Sequence, residues 1–132
     1  MNYNQIGILL AIGCILFILL TWRKIHNPYW KSLWRSGLLV FSLYSALLIF
    51  IEIRWHFISE YASKFDINGN GFVDLSEYSE EAMKAMNRKT YGTTVRGYAP
   101  LTMAVISSII GFAYFVSDIV VARLKNKELK NE

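Results

Sequence analysis

One cysteine, two prolines and a charged share of only 18% are what this 132-residue chain has little of. With 54% hydrophobic and 15% aromatic residues beside so few prolines, a collagen-like or disordered chain is excluded. Cys14 stands alone, so no intrachain disulfide forms and the redox compartment stays open. Charge is also absent in blocks. No Asp, Glu, Lys or Arg occurs from Met1 to Trp22, from Ser36 to Ile51, or from Gly97 to Ser117. Apolar residues gathered in long blocks, rather than in a helical or strand rhythm, are the pattern of a membrane protein. The mean hydropathy is only slightly positive, so a polar part must stand beside those blocks. Catalytic signatures are missing too. There is no P-loop, no Gly-x-Ser-x-Gly, no His-Glu-x-x-His and no nucleophile with a base, so the chain is not expected to be an enzyme. His26 and His56 have no His or Cys at ligand spacing, which argues against zinc or haem.

The blocks predict three transmembrane helices, at 5–22, 36–54 and 98–122, since about 20 residues at a rise of about 1.5 Å each cross the hydrocarbon. Glu52 is accommodated in the second by snorkelling to the interface, and Arg54 beside it is another interfacial charge. Pro100 suits the first turn of the third, where its missing N–H would have no partner anyway. The first block lacks the basic start of a secretory signal, and Ala11-Ile12-Gly13-Cys14 is only a partial lipobox, so it is read as a retained helix.

The net charge of +4 then becomes a topology label. Arg23, Lys24, Lys31 and Arg35 lie in the loop 23–35, and Arg123, Lys125, Lys127 and Lys130 in the tail 123–132, which places both segments in the cytoplasm. The N-terminus and segment 55–92 then lie outside it, in a periplasm, exterior or lumen. Trp22, Trp30 and Trp34 at the inner boundary, with Trp55, Tyr91 and Tyr98 at the outer one, fit interfacial aromatic belts. No basic stripe carries base-stacking aromatics, so nucleic acid is not an expected partner.

The polar part carries one specific motif. Asp66-Ile67-Asn68-Gly69-Asn70-Gly71-Phe72-Val73-Asp74-Leu75-Ser76-Glu77 fits D-x-[DN]-x-[DN]-G-x5-E at every defined position, and so resembles the calcium loop of the EF-hand superfamily. Calcium takes six to eight oxygens, and the resemblance assigns them to the side chains of Asp66, Asn68, Asn70 and Asp74, the backbone carbonyl of Phe72 and a bidentate Glu77. Gly71 permits the sharp turn. Ile58, Tyr61, Ala62 and Phe65 before the loop, and Leu75, Tyr78, Ala82 and Met86 after it, recur at helical spacing, which predicts a helix over 55–65 and a second one stopping at Gly92. Arg88 and Lys89 would occupy its last turn.

The expected fold is therefore an all-α membrane protein with one EF-hand helix-loop-helix between its second and third spans, and the expected cofactor is Ca2+. Only one such loop is present, which leaves Val73 and the apolar helix faces needing a partner. Membrane lipid, other membrane protein subunits and a second copy of the chain are the expected partners. A structural or accessory subunit of a larger membrane complex is the expected role, with a calcium-responsive regulator of a channel, transporter or membrane enzyme as the alternative. Asp118, the only acid in the third block, is expected to pair inside the membrane with Arg23, Lys24 or Arg35, although an intramembrane acid can also line an ion path. Small residues at Gly7 and Ala11, at Ser42 and Ala46, and at Ala104, Ser108 and Gly111 have the spacing that lets helices approach closely.

Overall fold

The computed structural model describes residues 1–131. They form three α-helices, α1 (Tyr3–Thr21), α2 (Pro28–Ser63) and α3 (Glu80–Asn131), with a 3-10 turn over Trp22–Lys24. All three helices are long and apolar enough to cross a membrane.

Capping explains where the first two begin. Asn2 accepts the Gln5 N–H while the Gln5 side chain accepts the Asn2 N–H, a reciprocal capping box at the head of α1. Asn27 accepts the Tyr29 N–H ahead of Pro28, whose fixed φ suits the first helical position. That second start lies inside the segment expected to be a loop, so α2 takes in half of the basic stretch.

Both long helices run past their expected ends. The second span and the 55–65 helix are one uninterrupted α2 of 36 residues, and α3 joins the post-loop helix, the third span and the tail in 52 residues. At about 1.5 Å per residue these are about 54 and about 78 Å long, against a hydrocarbon core of about 30 Å. The helix does not stop at Gly92, because only Gly69 and Gly71 take the positive φ that a glycine stop uses. Gly92 instead lies against Trp55, whose Cδ1 would stand 3.5 Å from an added Cβ. Pro100 lies within α3 rather than in its first turn. Ending a helix there would orphan four carbonyls beside an apolar segment, which costs more than the one bond proline removes.

α2 lies at the centre, antiparallel to α1 on one side and α3 on the other. Small buried residues let the backbones close up. A Cβ on Gly7 would come within 2.7 Å of the Tyr44 hydroxyl, and one on Gly111 would overlap Val40 Cγ2. Ser36 donates its hydroxyl to the Gly111 carbonyl at 2.6 Å, and Ala11 and Ser107 are buried nearby in the same seams. Ser42 and Ala46 are exposed, and Ser108 borders an open groove between the helices, so only part of the small-residue set packs the bundle. The surface, 9756 Å², exceeds the roughly 7,100 Å² of a compact soluble monomer of this mass, so the bundle is open and elongated. Leu9, Leu10, Phe17, Ile109 and Phe112 are exposed along the apolar segments, where a bilayer would be their solvent.

Candidate calcium loop and the polar clamp beneath it

α2 ends at Ser63, and the chain tightens through two short turns in which Phe65 and Asp66 donate to the carbonyls of Ala62 and Ser63. Tyr61 and Phe65 stack edge to face at 5.4 Å beside this exit. The loop then bends at Gly69 (φ 71°) and Gly71 (φ 88°), left-handed conformations that glycine adopts without a Cβ clash. Gly71 is the turn residue the motif requires; Gly69 adds a second bend, marked in the sequence by the Asn68-Gly69 pair.

Five of the six expected ligand residues join one inward network. Asp66 accepts from the backbone N–H groups of Asn70 (3.1 Å) and Gly71 (2.7 Å). Glu77 reaches back across the loop, one oxygen accepting from Ile67 and Asn68, both at 2.9 Å, and the other from Asp74 N at 3.3 Å. Asp74 accepts from the side-chain amides of Asn68 (2.7 Å) and Asn70 (2.8 Å). Phe72 contributes backbone alone, with its ring 73% exposed. Its N–H donates to the Asn70 amide oxygen at 2.9 Å.

The donor set is that of a hard cation: three carboxylates, two amide oxygens and a carbonyl, without nitrogen or sulfur. Among the described residues, no lysine, arginine or histidine forms an ion pair with Asp66, Asp74 or Glu77. Nor do three His, Cys, Asp or Glu side chains close to metal-holding distance there, because each carboxylate is drawn onto the loop's own N–H groups. Ligation would require the Asn68 and Asn70 amides to turn their oxygens inward and Glu77 to exchange its N–H partners for the ion.

The helix after the loop starts later than its periodicity suggests. Leu75 to Glu77 form a turn, and α3 begins at Glu80 behind Ser79, whose hydroxyl accepts the Ala82 N–H at 3.0 Å. This cap, with Glu80 and Glu81 in the first turn against the helix dipole, prevails over the apolar spacing. Leu75 is 97% exposed, and Tyr78 is exposed outside the helix as well. Ala62, Ala82 and Ala85 are the buried positions of the two arms that carry the loop.

Beneath the arms lies a cluster of which the sequence singles out only Glu52 and Trp55, each as an interfacial residue. Arg96 of α3 holds Glu52 of α2 through two parallel bonds, Nε and a terminal nitrogen each 2.7 Å from a separate oxygen. From α1, the Asn4 amide donates to one oxygen of Glu52 at 2.6 Å and the Asn2 amide to the other at 3.2 Å. Arg96 also lies 3.9 Å over the Trp55 ring, and Trp55 donates its indole N–H to Thr93 at 3.3 Å. A single carboxylate thus ties all three helices together. The signal available in the sequence was the common predicted level of Asn2, Asn4, Glu52 and Arg96 at the outer boundary.

At the opposite end Arg35 approaches Asp118 at 3.6 Å, while Arg23 and Lys24 do not pair with it. The second Asp118 oxygen is buried without a partner.

No family model, curated protein or solved structure matches this chain in comparisons with known proteins.

Proposed function

We propose that this chain is a small integral membrane protein that binds Ca2+ through residues 66–77, and that it serves as a structural or accessory subunit of a larger membrane protein complex. The observation that carries this reading is the twelve-residue motif Asp66–Glu77, supported by a loop that bends at Gly71 and gathers Asp66, Asn68, Asn70, Asp74 and Glu77 into one hydrogen-bond network. The ion would staple the end of α2 to the start of α3. At tenfold excess over Kd its occupancy would add about 1.4 kcal/mol to the folded loop.

Calorimetric titration of the full chain in nanodiscs tests the site. Calcium should bind with one-to-one stoichiometry, and Glu77→Gln should weaken it by at least the roughly 10- to 100-fold that loss of a supporting partner costs at metal sites. Equal affinity in both proteins would reject the assignment. Native mass spectrometry of material extracted gently from its own membrane tests the role. An assembly with another protein, or with further copies of the chain, is expected; a stable 15.2 kDa monomer would argue against it.

The basic residues at 23–35 and 123–130 support an orientation with that end in the cytoplasm and the N-terminus and calcium loop outside it. In sealed cells or vesicles carrying Cys14→Ser, a cysteine introduced at Ser76 should react with an impermeant maleimide from the outer side, and one at Asn126 should not.

A second reading, a calcium-responsive regulator, is favoured by one observation: both helices flanking the loop run without a break into the apolar segments. Spin labels separate the two readings. With the staple, calcium changes the distance between labels at Ser63 and Glu81 but not between Leu39 and Val105 below the clamp. With the regulator, both distances change.

A further inference from the structure

α1 and α3 both pack along α2, but not equally at the two ends. Asn4 brings α1 to the Glu52–Arg96 pair at one end, whereas toward the other end a cavity of about 530 Å³ opens between α1, α2 and α3. Phe17, Phe41, Phe112 and Phe115 line it, over a floor containing Gly37 and Gly111. On α1 it extends from Ile18 down to Cys14, and on α3 from Phe115 to Ser108. At about 1.5 Å per residue these are spans of about 6 and about 10 Å. The volume lies within the roughly 300–1,000 Å³ of ligand pockets, and the lining is almost wholly apolar.

A cationic turn lies next to one end of this groove. Trp34, part of its wall, donates its indole N–H to Thr21 at 2.9 Å, which holds the Trp22–Lys24 turn beside the opening. Arg23 and Lys24 are exposed in that turn, and among the described residues neither is paired with a carboxylate. The segment 23–35 contains no acid at all, and Arg35 is already turned to Asp118. An apolar slot of this depth under two unpaired cations complements a molecule with an alkyl chain below and negative charge above.

We propose that the groove is a binding site for an anionic phospholipid, with the upper part of an acyl chain lying against Phe17, Phe41, Phe112 and Phe115 and the headgroup phosphate at Arg23 and Lys24. Basic pockets between transmembrane helices are a recurrent means of recognising acidic headgroups, and each added cation near such a surface strengthens binding severalfold. The rim charges therefore supply the selectivity and the slot supplies the position.

Native mass spectrometry of the full chain released from micelles with equal phosphatidylglycerol and phosphatidylcholine tests this. The wild type should retain one phosphatidylglycerol in roughly tenfold preference to phosphatidylcholine. Arg23→Gln with Lys24→Gln, both in an exposed turn, should remove the preference without altering helix content. Ser108→Phe, at an exposed wall position, should fill the slot and remove the retained lipid. Equal retention of both lipids by the wild type, retained preference in the rim variant, or an unchanged lipid count in Ser108→Phe would each overturn the proposal. So would a lipid-free dimer, which would mean that a second copy covers the groove.

Discussion

Replacing Arg96 with methionine should destabilise the folded bundle by about 3 kcal/mol, the low end of the cost of removing one partner from a buried ion pair. The low end applies because the Arg96 and Glu52 side chains keep 22% and 19% of their surface. The cost arises in what remains. Glu52 would keep the amides of Asn4 and Asn2 but lose both charge-assisted bonds, and Asn4 is itself buried with its amide oxygen unpartnered. Arg96→Lys should recover only part of the loss, because an ammonium cannot make the two-pronged contact or stack as well on Trp55. In Glu52→Gln the carboxylate charge is gone but an acceptor oxygen stays, so the single loss should be smaller. The double variant should lose less than the sum of the two, since the second substitution removes a group already left without its partner. Denaturant unfolding followed by ellipticity in one fixed detergent measures all four; a change under 0.5 kcal/mol for Arg96→Met would show that the clamp does not hold the helices.

This clamp also marks the boundary of what the sequence discloses. The three apolar blocks announce three helices, because length and lack of charge are properties of contiguous residues. Asp66, Asn68, Asn70, Gly71, Asp74 and Glu77 are equally legible as a set of candidate ligands, since a twelve-residue motif is local in the chain. Helix ends are harder. Gly92 and Pro100 look like punctuation, yet an apolar neighbourhood makes termination dearer than continuation, and Ser79 supplies a cap stronger than the periodicity of Leu75 and Tyr78. The contact between Asn4 and Glu52 crosses 48 residues, and that between Arg96 and Glu52 crosses 44. Taken singly, each is an unremarkable polar residue at the end of an apolar block. Only the register of three packed helices turns them into one network.

That register is set by Gly111, and Gly111→Leu should cost about 3 kcal/mol, the upper part of the range for overpacking. A Cβ at this position already overlaps Val40 Cγ2, and β-branched Val40 cannot swing aside on a helix without straining its rotamer. The backbone must give instead, which would also pull the Gly111 carbonyl off the Ser36 hydroxyl. Gly111→Ala should be partly rescued by Val40→Ala, and Gly13→Ala, with no atom within 4 Å, should be neutral or slightly stabilising. A leucine at Gly7 should cost less than at Gly111, because the nearest side-chain atoms, the Tyr44 hydroxyl and a Leu48 methyl, stand 2.7 and 2.9 Å from an added Cβ rather than overlapping it. The consequence of Gly111→Leu should reach beyond packing. From Ser36 to Glu52 is about 24 Å along α2, and from Arg96 to Gly111 about 22 Å along α3, so the two contacts form matched rungs between antiparallel helices. Parting the lower rung should loosen the upper one, raising hydrogen exchange around Arg96 as well as around Gly111. Exchange that rises only near Gly111 would mean that the clamp holds its register alone.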